Sequence, residues 1–381
     1  MGKSAVSDRY PSVLAHVLGQ LDFGGVETMA GRLIRHMPGR GLEHLVIVTG
    51  HVDPARLDWL EAQAPVEVYR CPYVPGRRLS FVRRLARAIE ARRPAAVLAY
   101  SFGNHAMVSL ACRMAGVRQV YVRVAGSPLR SLGARLKNGL IAHLARPFCA
   151  GEIAVSRAVA RELTRGIGLP EKRVQVITNG CVVDAPMRTA PAPDGRNPRK
   201  AREIRLLMVS RMDDAKDQAS AIRAVAELTA ADREACLSLV GDGPKRAELE
   251  TLARQEGLAA RVCFHGNRTD VADLMGRHDL MLHCTFSEGF PNVIIEAMAV
   301  GLPVIASDIP PCREVLDDGS CGILTPTRDP RAVSAAIIRL MDGPELRRQQ
   351  AARARALVDR LYRIEDCAGR YAELLMPDTL K

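Results

Sequence analysis

The amino-acid sequence predicts an α/β protein of two domains, each a parallel sheet covered by helices on both faces. Short apolar runs of strand length alternate with longer stretches of helical spacing, and they do so in two successive series, the pattern of repeated β-α-β units. A Pro- and Gly-containing stretch, Ala185 to Arg202, lies between the two series and has the composition of a linker. The chain of 381 residues is long for one hydrophobic core and natural for two domains of about 150 to 200 residues each.

In the first series the expected strands are Val13 to Leu18, Leu45 to Val48, Val66 to Tyr69, Ala96 to Tyr100, Val120 to Val124 and Val174 to Ile177. In the second they are Ile204 to Val209, Cys236 to Val240, Val262 to Phe264, Leu280 to His283 and Pro303 to Ala306. The expected domains are therefore 1–184 and 204–360, with a linker at 185–203 and a closing segment at 361–381. Two Rossmann-like halves joined in this way are expected to face each other across a cleft, with ligands beyond the carboxyl ends of the strands. The last helical stretch runs from Glu345 to Leu375.

Ten cysteines are scattered without a C-x-x-C pair or metal-ligand spacing, and several lie in apolar runs, so they are expected to be reduced core thiols of a cytoplasmic protein. No signal peptide or membrane-length apolar run is legible. Charge is uneven. Residues 1 to 184 carry 26 Lys and Arg against 13 Asp and Glu, while the remainder is close to neutral within a total of +12. The excess concentrates in Arg77, Arg78, Arg83, Arg84, Arg87, Arg92 and Arg93. A second group, Arg130, Arg135, Lys137 and Arg146, is interleaved with Leu129, Leu132, Leu136, Leu140, Ile141 and Leu144. Such a basic amphipathic stretch suits an anionic membrane surface. Nucleic acid is disfavoured, because the basic runs lack interleaved aromatics and a matching motif.

The segment Phe286-Ser287-Glu288-Gly289-Phe290-Pro291-Asn292-Val293-Ile294-Ile295-Glu296 places two carboxylates eight positions apart across a strand-to-helix turn. Glu288 falls on the loop and Glu296 on the helix, one turn beyond Asn292. The amides from Gly289 through Phe290 to Val293, with Pro291 contributing none, form a helix N-terminus suited to a diphosphate. Glu296, surrounded by Val293, Ile294, Ile295, Ala297 and Met298, is expected to be a buried carboxylate in need of partners, such as ribose hydroxyls.

In the form EGFPNVIIEAMAVGLPVIAS this E-x7-E pattern resembles the signature of glycosyltransferase family 4, retaining enzymes of the GT-B fold. The resemblance extends from Gly24-Gly25-Val26-Glu27 to Arg313-Glu314-Val315, most of the chain. It implies that the N-terminal domain holds the acceptor, the C-terminal domain the nucleotide-sugar, and that the final helix crosses back to the first domain. It also implies that Glu288 binds sugar hydroxyls and that Arg211 and Lys216 neutralise the donor diphosphate. Arg268, in Gly266-Asn267-Arg268-Thr269-Asp270, matches the base-contacting loop, and Val240-Gly241-Asp242-Gly243-Pro244 is a supporting turn. Gly24 and Gly25 permit close backbone approach beside the diphosphate and sugar. His105, after Asn104, is a candidate contact on the acceptor side or to the donor sugar. Many relatives place a His after the strand Val120 to Val124; Arg123 stands as the candidate for that place here.

The implied chemistry is same-face displacement at an anomeric carbon, with Arg211, Lys216 and the helix N-terminus stabilising the departing nucleoside diphosphate. No D-x-D occurs in the sequence, so metal-independent transfer without a cofactor is expected. A UDP-sugar donor is favoured, with GDP-mannose as the alternative. The basic N-terminal domain suggests a lipid-linked or envelope-glycan acceptor and a peripheral place at the inner face of the cytoplasmic membrane. Two rival classes are a sugar-nucleotide epimerase or phosphorylase on the same fold, and a non-catalytic nucleotide-sugar-binding scaffold subunit.

Overall fold

The computed structural model describes residues 12–39, 41–100, 102–127, 132–183 and 203–377. Leu129, Arg130 and the expected linker, apart from Glu203, lie outside the described residues. The chain divides into two compact units, Met1–Thr178 with Ile364–Lys381, and Asn179–Arg363.

The first unit contains a seven-stranded parallel sheet formed by β1 (Val13–Leu18), β2 (Glu43–Val48), β3 (Val66–Arg70), β4 (Ala96–Ala99), β5 (Val120–Val124), β6 (Gly151–Ala154) and β7 (Val174–Val176). Its spatial order is β3-β2-β1-β4-β5-β6-β7. The second unit contains β8 (Ile204–Val209), β9 (Ala235–Val240), β10 (Val262–Phe264), β11 (Leu280–His283), β12 (Val304–Ser307) and β13 (Ile323–Thr325), in the order β10-β9-β8-β11-β12-β13. Both are doubly wound. In each, the first strand is central and the strand order reverses beside it, between β1 and β4 in one unit and between β8 and β11 in the other. Such a switch point leaves a crevice beyond the strand ends.

Two strands are additional to those expected. β6 carries Glu152 in its middle, which interrupts the apolar run, and β13 has only three residues. The stretch expected as one helix, Glu345 to Leu375, is two: Pro344–Leu361 and Ile364–Leu375. At the break, Cys181 donates its amide to the Tyr362 carbonyl at 2.8 Å, so the chain is held by a bridge where the helical ladder stops. The helix Ile364–Leu375 buries Ile364, Ala368, Tyr371 and Leu375, spaced three or four apart, in the same core as Leu14, Met29 and Leu33 of the first unit. All ten cysteines are free, and among the described residues no helix is long and apolar enough to cross a membrane.

Candidate active site

The crevice beside β8 and β11 is built from two loops that pair with each other. Asp217 donates its amide to the Cys284 carbonyl at 3.0 Å, and Phe286 donates to Ala215 at 2.9 Å. The Thr285 hydroxyl also donates to the Ala215 carbonyl at 2.9 Å, and its amide to Ser307 Oγ on β12 at 2.9 Å. Asp217 caps the helix Gln218–Ala230 through the Ser220 amide and accepts from the Arg328 amide at 3.1 Å, while Gln218 Nε2 holds the Arg211 carbonyl at 2.7 Å. The segment from Ser210 to Asp217 is thus fixed at both ends.

This pairing places Lys216 opposite Glu288. Lys216 Nζ donates to Glu288 Oε1, and His283 Nε2, at the end of β11, lies 2.8 Å from the same oxygen. Burial opposes ionisation of Glu288, but Lys216 and the His283 hydrogen bond outweigh it and hold its carboxyl at about 2. The group is therefore a fixed carboxylate, 14% exposed, with Oε2 outside both contacts. Lys216 has three N–H donors and directs one to Glu288, which leaves two for an anion.

The helix Asn292–Ala299 follows immediately. Ile294, Ile295, Ala297, Met298 and Ala299 are buried, whereas Asn292, Val293 and Glu296, which share one side, are only half-buried. The expectation that Glu296 is a buried carboxylate is corrected: it stands on the open side of an otherwise buried helix. Asn179 Nδ2 donates to Asn292 Oδ1 at 2.5 Å, and Arg355 donates to the Ala299 carbonyl at 2.7 Å, fastening both ends of the helix. Phe290 is buried and packs edge-on against Tyr362, so its side chain is an anchor and only its backbone is placed for a ligand. Gly289 and Phe290 lead into the first helical turn, where Asn292 donates its amide to the Phe290 carbonyl at 3.1 Å and Ile294 to the Pro291 carbonyl at 3.0 Å.

The other loop residues are arranged more loosely. Arg211 is 61% exposed, with Nε 3.7 Å from Asp213 Oδ2. Arg268 is exposed and forms a two-pronged pair with Asp270 at 2.8 and 2.7 Å. The turn after β9 closes on the Arg211 loop: Met212 donates to the Asp242 carbonyl at 3.0 Å and Lys245 to the Met212 carbonyl at 3.0 Å. Gly241, at φ +122°, fits because a Cβ there would lie 2.1 Å from the Ser210 carbonyl oxygen.

Gly24, Gly25 and His105 belong to the first unit. Gly24 precedes the helix Gly25–His36, and the Glu27 carboxylate folds back over it, leaving 2.3 Å to where a Cβ would stand. His105 does not face an open site. It is fully buried, with Nε2 3.4 Å from Cys149 Sγ and 3.9 Å from Glu152 Oε1, while Arg173 donates to Cys149 Sγ at 3.0 Å. Burial, aided by Arg173, pushes His105 down to about 4, and burial with the nearby Glu152 charge pushes the Cys149 thiol up to about 12. Arg173 supplies a positive charge in this cluster, with Nε 3.7 Å from Glu152 Oε2, while His105 Nδ1, Glu152 Oε2 and Arg173 Nε are buried without a hydrogen bond.

Arg123 is also buried. Its Nε donates to the Tyr371 hydroxyl at 3.1 Å, and its guanidinium stands 5.7 Å from the Tyr100 ring. Tyr100 in turn contacts His16 Nδ1 at 3.0 Å, and His16 Nε2 meets His44 Nδ1 at 3.0 Å. Arg123 therefore fastens the helix Ile364–Leu375 to the first sheet, and its candidacy for a catalytic place after β5 is withdrawn. His283 and Asn179 escaped the sequence reading. His283 ends an apolar run, and Asn179 follows one; their roles depend on contacts with Glu288 and Asn292, respectively.

A family model described as Glycosyl transferases group 1 matches residues 194–357, and one described as Glycosyltransferase Family 4 matches residues 23–185. EpsF of Bacillus subtilis (strain 168), named as a glycosyltransferase, is 30% identical over 305 residues, 77% of this chain and 78% of that protein. N-acetyl-alpha-D-glucosaminyl L-malate synthase of Bacillus anthracis is 32% identical over 176 residues, 46% of each chain, so this match spans less than half of that relative. Among solved structures, Anabaena HepE in complex with UDP-glucose superposes with a TM-score of 0.83 at 22% identity, covering 96% of this chain and 99% of that one. WaaG, described as a glycosyltransferase involved in lipopolysaccharide biosynthesis, gives 0.73 at 18% identity, covering 95% and 99%. The fold they share with this chain is GT-B.

Proposed function

From the premise that this chain belongs to glycosyltransferase family 4, we propose that it is a retaining hexosyltransferase that uses a nucleotide-sugar, with a UDP-sugar favoured over GDP-mannose. The observation that carries the reading is the Lys216–Glu288–His283 arrangement at the β8/β11 switch point, directly before the open side of the helix Asn292–Ala299.

In this reading the donor diphosphate lies over the first turn of that helix, near the amides of Gly289, Phe290 and Val293, and takes the two remaining Lys216 donors. The exposed Arg211 side chain, with its long contact to Asp213, turns toward the same charge. Glu296 accepts from the ribose hydroxyls and Glu288 Oε2 from a sugar hydroxyl, with the base beside the Arg268 loop. As the glycosidic bond to the diphosphate breaks, negative charge grows on the leaving oxygen, where the cations and amides are already positioned. The acceptor hydroxyl attacks from the same face and gives its proton to the departing phosphate. The support for Gly24 and Gly25 as donor contacts is their position at the β1/β4 switch point of the first unit. The expected acceptor is a lipid-linked or envelope glycan, in polysaccharide, lipopolysaccharide or exopolysaccharide synthesis. Its support is the positive charge of the first unit and the pathway named for WaaG.

The test is thermal stabilisation across UDP, GDP, ADP, NAD and a panel of UDP- and GDP-sugars, repeated with Glu296→Ala. A ligand at about 100 times its dissociation constant adds about 2.7 kcal/mol of stability. A shift with one nucleotide that weakens in the variant supports the donor site; no shift with any nucleotide overturns the reading. Turnover that survives a chelator is the corresponding expectation for metal independence.

A further inference from the structure

We propose that the helix Leu132–Ala145 docks the chain on an anionic lipid surface through a stripe of solvent-exposed leucines. Leu136, Leu140 and Leu144 recur every fourth residue and are 68%, 63% and 57% exposed, so they form a continuous ridge along one side. Ala142 and Ala145, on the side toward the unit, are buried. The arrangement reverses what a surface helix of a soluble domain normally presents, where leucines at this spacing face the core.

The charge around the ridge selects its occupant. The helix contains no Asp or Glu, and Arg135, Lys137 and the following Arg146 are exposed beside the leucines. It packs on the helix His105–Met114, which packs on the helix Arg78–Arg92. These three helices carry eight Lys and Arg and one acidic residue, Glu90. Some of the cations are engaged locally: Arg92 pairs with Glu43 and Glu67, Arg84 donates to the Pro72 carbonyl and Arg135 to the Gly166 carbonyl. The face remains strongly positive. A second copy would bring the same positive face against it, which charge repulsion opposes. A bilayer rich in anionic headgroups offers both an apolar layer for the leucines and negative charge for the flanking cations.

Docking in this way deepens the reading of a membrane-held acceptor given above. The experiment contains no acceptor or donor, so its failure would leave that transfer reading standing, and failure of transfer would leave the docking result intact. The full chain is sedimented with vesicles of phosphatidylcholine alone and of phosphatidylcholine mixed with phosphatidylglycerol, at low and high salt. Binding is expected only to the mixed vesicles, weakening with salt. The surface variant Leu136→Glu/Leu140→Glu/Leu144→Glu, with an unchanged melting curve, is expected to lower partitioning by at least about tenfold. In a second variant, Leu140→Trp, the added fluorescence is expected to shift to the blue on mixed vesicles, read against the sole native Trp59 in the parent chain. Absence of binding, equal binding to neutral vesicles, undiminished binding of the triple variant or an unmoved Trp signal on bound protein would each overturn the proposal. Concentration-dependent self-association abolished by the triple variant would reassign the ridge to a contact between copies.

Discussion

His283 Nε2 lies 2.8 Å from Glu288 Oε1, the oxygen that also accepts from Lys216. The histidine is 2% exposed, at the last position of β11, so its ring is held by the core while its edge meets the site. Glu288 is thereby fixed from the sheet side by one donor and from the β8 loop by another.

The consequence for activity is specific to the donor capacity of the ring. His283→Leu keeps bulk but removes the hydrogen bond, and is expected to lower kcat/KM by about 10- to 100-fold, the worth of a hydrogen bond to a charged group. His283→Gln, which retains an N–H donor, is expected to recover much of the loss. Equal losses in both variants, with matching falls in melting temperature, would make the histidine a packing residue only.

Acid should weaken the two units over different pH windows. In the first unit, burial lowers His16 well below its ordinary value, with His44 contributing, and burial lowers His44 and His105 to about 4, with Arg173 contributing at His105. These groups bind protons more readily when unfolded, so their share of stability is lost as pH falls below about 6.5, at about 1.4 kcal/mol per pH unit for each fully responding group. In the second unit burial also lowers His278, but Glu288 acts oppositely in origin: its depressed carboxyl stabilises above about 4.5 and loses that contribution as pH falls toward about 2. Hydrogen exchange at pH 5 against pH 7.5 is expected to show larger losses of protection in β1, β2 and β4 than in β8 and β11. Equal losses would contradict the assignment of the histidines.

The two sheets were legible because their strands are apolar runs of ordinary length, and the E-x7-E segment because its two carboxylates flank a visible strand-to-helix change. What escaped was decided by distant partners. Arg123 lies on a predicted strand, yet its burial depends on a hydroxyl from Tyr371, far along the chain. His105 has a sequence setting that suits a site, but Cys149, Glu152 and Arg173 make it a core residue. Glu296 differs from the expectation because its apolar sequence neighbours turn into the core, whereas Asn292, Val293 and Glu296 share the open side. Periodicity identifies which residues share a face, but not what covers that face.

The Arg123–Tyr371 bond gives the closing helix a test of its own. Tyr371→Phe retains the ring in the core and removes the hydroxyl that accepts from Arg123. The expected cost is about 1 to 3 kcal/mol, because the guanidinium remains buried with an acceptor removed. Arg123→Ala should cost more, since it also empties the volume of a fully buried side chain. Urea unfolding measures both; a Tyr371→Phe chain as stable as the parent would show that the Arg123–Tyr371 bond contributes nothing to holding the helix.

Gly241 separates the integrity of the Arg211 loop from the stability of the unit. Its φ of +122° disfavours any other residue, and an added Cβ would stand 2.1 Å from the Ser210 carbonyl oxygen, which belongs to the backbone and cannot swing aside as a flexible side chain would. Gly241→Ala is therefore expected to displace the Ser210–Met212 segment and with it Arg211, costing about 2 kcal/mol or more in stability. Gly257 supplies the control: its φ is +70°, but a Cβ there would meet nothing within 4 Å. Gly257→Ala should lower stability by about 1 kcal/mol through backbone strain and leave nucleotide affinity unchanged. Calorimetric titration with the nucleotide found by thermal shift distinguishes them. Weakened binding in Gly241→Ala alone would tie nucleotide affinity to the β9 turn through Arg211; equal affinity in both variants would remove that turn from the proposed donor site.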